Sequence, residues 1–251
     1  MNVINKYKIR TDISKKLGSL TLYRIEALRN FGYVKKGNLG GWIEKEDNLS
    51  QSGTCWVYDD AIVYQNAKVS GKAKVCCHAN VSGYAIVTDN AVVCDNSEIY
   101  GCAILQNDVW VGDDAHVYGN ARISNNAHIY NNVKVYGCAY IYGNASIFND
   151  VQIYDNVKVH GYTEIYGNIH ICGNADIKTI TDYYVGKNTW SSGRYFVYTR
   201  SNKKWCVGCF YGTGKELIEK AYKDSELSGR NYERVVKYVE EMYKDIENTH
   251  H

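Results

Sequence analysis

Aliphatic residues recur at every sixth position through the middle of the chain. From Val57 the series continues Val63, Val69, Val75, Val81, Val87, Val93, Ile99, Leu105, Val111, Val117, Ile123, Ile129, Val135, Ile141, Ile147, Ile153, Val159, Ile165, Ile171 and Ile177, 21 positions without a slip. Two residues ahead of each stands a small or apolar residue, such as Ala61, Ala67, Ala73 and Ala79, with Ser97 and Thr163 among the exceptions. Turn formers separate the units, as in Gly119-Asn120, Asn125-Asn126, Gly143-Asn144 and Asp155-Asn156, so the repeat reads Ala-x-Val-Tyr-Gly-Asn. In Ala-x-Val the outer residues share one face of a short strand and point inward, while x faces solvent. Gly, Asn and Asp tolerate left-handed backbone angles and turn the chain after each strand. A helix would need a period near 3.6, which this pattern lacks. A fixed short period over so many units predicts a mainly β, parallel β-solenoid over residues 55–178.

The flanks break the period. Residues 1–54 are expected to cap the open end of the solenoid, which would otherwise expose backbone groups and core. Within them, Arg10 to Leu28 reads as two short strands and a helical turn, and Gly37 to Ile43 leads into the first coil. Residues 179–251 read as a small α+β appendage. Tyr195–Arg200 and Trp205–Phe210 form a hairpin around Ser201 to Lys204. Thr213 caps a helix to about Tyr222, with Glu216 completing a capping box. A second helix opens at Gly229-Arg230, with Tyr232, Val235, Val236, Val239, Met242 and Ile246 on its apolar side.

The repeat resembles the hexapeptide-repeat, left-handed β-helix family over about half of the chain. That resemblance implies three units per triangular coil, hence seven coils from 21 units and a prism about 34 Å tall at roughly 4.8 Å per coil. Left-handedness comes from the resemblance alone, since parallel crossovers are ordinarily right-handed. Tyr often follows the inward aliphatic residue, where enzymes of the family commonly carry a small one. In that respect the chain resembles uncharacterised repeat proteins of phages and prophages of low-GC bacteria.

With 18 residues per coil, one corner stacks Tyr64, Ser82, Tyr100, Tyr118, Tyr136, Tyr154 and Cys172. Its four consecutive tyrosines, Tyr100, Tyr118, Tyr136 and Tyr154, form an outward ladder. They serve as a partner surface, as mutual support between strands, or as both. Val92 and Trp110 on one face, with Ile86 and Ile104 on another, form an apolar belt on an otherwise polar prism. Such a belt predicts association. The family resemblance makes a homotrimer the expected assembly, and cover by the terminal segments is the alternative.

Composition refines this picture. The chain holds 24 Tyr against 4 Phe and no Pro, as repetition would produce. The formal net charge of +2 divides into +5 for residues 1–54, −5 for 55–178 and +2 for the remainder. A solenoid of net negative charge is a poor match for nucleic acid. No stretch approaches the ~18 apolar residues of a membrane span, and the N-terminus lacks the apolar core of a secretion signal. Nine Cys without a secretory start read as reduced thiols, which points to the cytoplasm of a bacterial host.

Candidate chemistry concentrates in the appendage. Gly208 to Lys215 fails as a phosphate-binding P-loop, because its glycines stand one residue too far apart and Glu216 replaces the needed hydroxyl. Gly212 and Thr213 nevertheless open a helix, whose free N–H groups attract anions. Trp190, Ser192 and Arg194 add an indole, a hydroxyl and a guanidinium. Together these five residues are a candidate site for a phosphate-bearing ligand, with a capped helix beside a Gly-rich turn as the alternative. A lone Cys206-x-x-Cys209 in a strand makes a zinc site improbable, so no metal or cofactor is expected. The solenoid histidines, His78, His116, His128, His160 and His170, include no pair 18 apart, and the repeats carry no insertion.

Taken together, the sequence favours a non-enzymatic binding protein. It would be an oligomeric scaffold whose appendage or Tyr ladder meets a host protein or a nucleotide-like ligand. The phage resemblance implies interference with bacterial defence as its purpose. A hexapeptide-repeat acyltransferase is the alternative.

Overall fold

The computed structural model describes residues 5–249. The first four residues of the N-terminus weighed as a secretion signal, and the closing His250-His251, lie outside the described residues.

Twenty-one two-residue strands, β4 (Trp56–Val57) to β24 (Asp176–Ile177), follow one another at six-residue intervals. They stack in parallel with an offset of 18 residues: Val92 pairs with Trp110, and Trp110 with His128. Three sheets result, one for each wall of the solenoid. The inward positions are sealed: Ala127, Ile129, Val133, Val135, Ala139 and Ile141 are all 0% exposed. Even the polar exceptions are satisfied in place. Ser97 Oγ donates to the Cys94 carbonyl at 2.6 Å and Thr163 Oγ1 to the His160 carbonyl at 2.7 Å, so neither loses its hydrogen bond on burial.

The turn chemistry is periodic as well. A residue with positive φ recurs every six positions, as at Asp113, Gly119, Asn125, Asn131, Gly137, Gly143, Asn149 and Asp155. Gly, Asn and Asp dominate because they adopt this conformation at least cost. Gly119 shows a second constraint: at φ +70°, a Cβ there would meet Gly137 N at 3.0 Å, in the next coil. Side chains at the corners tie neighbouring coils together, as where Asn126 Nδ2 donates to Asn144 Oδ1 at 3.0 Å.

The solenoid has about eight coils, one more than the unbroken repeat predicts. Strands β1 (Tyr7–Leu17), β2 (Leu20–Ala27) and β3 (Leu39–Ile43) extend one wall. Of these, β3 pairs in parallel with Ile62–Val63, and Leu49 bridges to Val69. Ile43, Leu49 and Val57 thus form the first coil. Eight residues rather than six separate Leu49 from Val57, and this two-residue excess hides the coil from a six-residue count. β1 and β2 are the two strands expected between Arg10 and Leu28; they pair antiparallel across a tight turn, and no helical turn stands among these residues. Tyr7, Ile25, Phe31 and Val34 join the same core as Trp56 and cover its N-terminal end.

At the other end, β25 (Tyr183–Lys187), β26 (Tyr195–Thr199), β27 (Lys204–Val207) and β28 (Phe210–Gly212) form an antiparallel sheet. Helices α1 (Gly214–Asp224) and α2 (Glu226–Thr249) follow. Thr213 caps α1 and forms the expected capping box with Glu216. The helices bury Leu217, Ala221, Tyr232, Val236, Val239 and Tyr243 against Phe196, Tyr198 and Trp205. Val197, on the opposite face of β26, belongs to the solenoid core, so the appendage closes the C-terminal end. Among the described residues, no helix is long and apolar enough to cross a membrane.

Candidate functional site

Coil eight and the appendage meet along a specific seam. The tyrosine corner ends at Cys172, whose Sγ lies 2.6 Å from Cys206 Sγ on β27, with Tyr154 Oη 3.9 Å from the latter sulfur. The contact with the Cys172 thiol, and then burial, push the Cys206 thiol far up. Beside it, Tyr211 Oη and Asn202 Nδ2 both donate to Asn174 Oδ1, at 3.2 and 3.1 Å. Gly173 makes room for that contact: a Cβ at this position, φ +78°, would collide with the Tyr211 hydroxyl and ring.

This seam leaves a cleft of about 410 Å³ between the two parts, lined by Asn168 and His170 from the solenoid and by Gly193, Arg194, Tyr195 and Gly208 from the appendage. His170 occupies an outward strand position, half-buried, edge-on to Tyr154 at 6.5 Å. Burial lowers its pKa below the usual imidazole value, so at neutral pH the ring is an uncharged base. Arg194 is exposed, and its guanidinium lies against Gly208, where a Cβ would come within 3.2 Å of Nη1. Arg194 also borders a second cleft, of about 280 Å³, with Ser192, Lys220 and Tyr232 on its walls. Two cations and hydroxyls around this opening offer donors to phosphate oxygens, with the Asp224 carboxylate on the same wall.

No family model matches the chain. One relative is informative. Over 70 residues, 28% of its length, this chain is 37% identical to a protein of Escherichia coli (strain K12) named "Uncharacterized acetyltransferase YdcK". The match spans about a fifth (21%) of that relative's length.

The five candidate residues of the appendage divide among three places. Ser192 and Arg194 share a cleft. Thr213 borders a different one, with Lys215 and Lys244, and Gly212 is buried against Phe210 and Glu216. The helix N-terminus already holds an anion of its own, since Thr213 N donates to Glu216 Oε2 at 2.7 Å. Trp190 packs edge-on against Tyr232 at 5.0 Å and tilts against Phe196 at 6.2 Å, inside the appendage core. Its indole is thus engaged by the fold instead of offering a free stacking face.

The outward residues fall where the 18-residue coil puts them. Ile86 neighbours Ile104 on one wall and Val92 neighbours Trp110 on another. Trp110 is half-buried over Gly112, close to His128 and Tyr130. Tyr100, Tyr118, Tyr136 and Tyr154 stack with centroids 4.7, 4.8 and 4.9 Å apart and planes within 9°. A second corner stacks Tyr130, Phe148 and Tyr166.

Histidines of the solenoid do not stack on one another, but two of them pair with carboxylates. His160 Nε2 lies 2.8 Å from Asp176 Oδ1, and His116 Nδ1 lies 3.3 Å from Glu98 Oε2. The signal was available as a histidine opposed to an acid in an adjacent coil, Glu98 before His116 and Asp176 after His160. Cys206 is buried on β27, whereas Cys209 is exposed in the turn before β28, outside the single strand expected to hold both. Among the described residues, no three His, Cys, Asp or Glu side chains gather as a metal site.

Proposed function

We propose that the protein is an acyltransferase of the hexapeptide-repeat kind that works in the cleft between coil eight and the appendage. The observation that carries this reading is the meeting of a solenoid imidazole, His170, and an appendage guanidinium, Arg194, on the walls of one cleft. The partial likeness to a protein named as an acetyltransferase supports it.

In this scheme, an acyl thioester of coenzyme A binds with its phosphates toward Arg194 and Lys220. The neutral His170 takes the proton from an acceptor hydroxyl or amine as that group attacks the thioester carbonyl. The new C–O or C–N bond forms, the C–S bond breaks, and the proton passes from His170 to the departing thiolate. A lowered His170 pKa suits the base role, because a protonated imidazole cannot accept a proton. The rate should therefore rise with pH through an apparent pKa below the ordinary value of about 6.5.

The test is free-thiol release from acetyl-CoA with a panel of amine and hydroxyl acceptors. The expected result is turnover that falls by about 10²–10⁴ in His170→Ala, the usual contribution of a general base. Turnover that His170→Ala leaves unchanged contradicts the assignment. Coenzyme A binding without turnover would instead favour a binding protein, the reading that the sequence alone prefers.

A further inference from the structure

The tyrosine corner is a continuous stack with one ring missing. Tyr100, Tyr118, Tyr136 and Tyr154 repeat at 4.7–4.9 Å with planes 3–9° apart. One coil before Tyr100 the column holds Ser82, and one coil before that, Tyr64. A cleft of about 430 Å³ opens at this point, lined by Tyr64, Gln65, Asn80, Ser82, Glu98 and Tyr100 among others. Two coils separate Tyr64 from Tyr100, about 9.6 Å along the stack at ~4.8 Å per coil. One further ring fits there at the spacing the rest of the ladder keeps.

We propose that this gap is a binding site for a planar nitrogen heterocycle carrying N–H donors, of the purine nucleobase type, which takes the place of the missing ring between Tyr64 and Tyr100. The polar groups of the gap select for donors. Asn80 Oδ1 is buried and makes no hydrogen bond, a costly state for an amide oxygen. Asn80 lines the gap, and in the proposed complex its amide turns this oxygen toward the bound ring. The Glu98 carboxylate is a second acceptor on the rim, held by His116 at 3.3 Å. Gln65 Oε1 is already occupied by the Gly83 N–H at 2.8 Å. Neither Lys nor Arg lines the gap, so it recognises the base and leaves any phosphate in solvent. Stacking on an aromatic platform supplies the attraction, as it does for unpaired bases elsewhere. The Ser82 level lies five coils, about 24 Å along the prism, from Cys172, and the site does not depend on the acyl-transfer reading.

Adenosine is the probe, titrated by saturation-transfer NMR and calorimetry against the full chain. The wild type should bind it, and Ser82→Tyr should weaken binding at least ten-fold by filling the gap with a protein ring. Because that substitution completes a ladder already built at the following four coils, the melting temperature should hold or rise. Asn80→Leu should weaken adenosine several-fold without loss of fold. Absence of saturation transfer to adenosine in the wild type, or equal affinity in folded Ser82→Tyr, overturns the proposal. If Ser82→Tyr does not fold, Tyr64→Leu decides: undiminished binding there overturns it equally.

Discussion

At the scale of single residues, the coil assigns each side chain a role by its position in the six-residue unit. Ile129 and His128 are chain neighbours with opposite roles: the isoleucine is 0% exposed and the histidine faces solvent. Ile129→Asp should unfold the middle coils, because a buried unpaired carboxylate costs several kcal/mol. His128→Asp should change stability by less than about 1 kcal/mol. Thermal melts of the two variants check this, and similar melting temperatures would contradict the assignment. The stacked tyrosines make a further prediction. Burial, and then the neighbouring Tyr118, push Tyr136 up to about 12. A group whose pKa is raised by folding stabilises the fold fully below its unfolded value, near 10. That contribution is lost as the pH rises through the folded value. Melting temperatures should therefore fall between about pH 10 and pH 12, and Tyr136→Phe should reduce the fall. An unchanged alkaline decline in that variant would place the sensitive group elsewhere.

At the scale of elements, the seam between solenoid and appendage is built on close approach. Gly173 has positive φ and no room for a Cβ beneath Tyr211. Gly173→Val should undock the appendage sheet while the coils stay intact. Hydrogen exchange checks this: residues 183–212 should lose protection and the inward strands near Ile129 should keep it. Equal protection across both would contradict a docked seam. Which elements were legible follows from the same physics. The 21 strands from Val57 to Ile177 could be read because every coil solves one packing problem with one residue pattern. The first coil could not, since two extra residues between Leu49 and Val57 shift its phase. Nor could the true start of α2. Gly229 resembles a helix opener, yet it lies inside the helix, where a Cβ would collide with Tyr222 on α1. Its smallness serves helix packing. The edge strands β25 and β28 are short and carry glycine, so alternation alone did not mark them.

At the scale of the whole molecule, the solenoid is a rigid wall and the appendage a cover on one end. The candidate site is the crevice between them. Arg194 was readable as an anion-binding group because a guanidinium in a Gly/Ser-rich turn is exposed. His170 was not, since nothing local distinguishes it from His128, another outward histidine of the repeat. Only the fold shows that coil eight brings His170 beneath the appendage. Trp190 misled for the converse reason: an indole next to a loop reads as a stacking face, whereas Tyr232 from a distant helix claims it. The central claim is that this crevice receives the phosphate-bearing end of an acyl donor. The most direct measurement is a calorimetric titration of coenzyme A into the wild type and into Arg194→Ala. Loss of a charge-assisted hydrogen bond worth about 1.5–3 kcal/mol predicts roughly ten- to a hundred-fold weaker binding, with the melting temperature unchanged. Equal affinity for coenzyme A in the two proteins, or none in the wild type, would contradict the account.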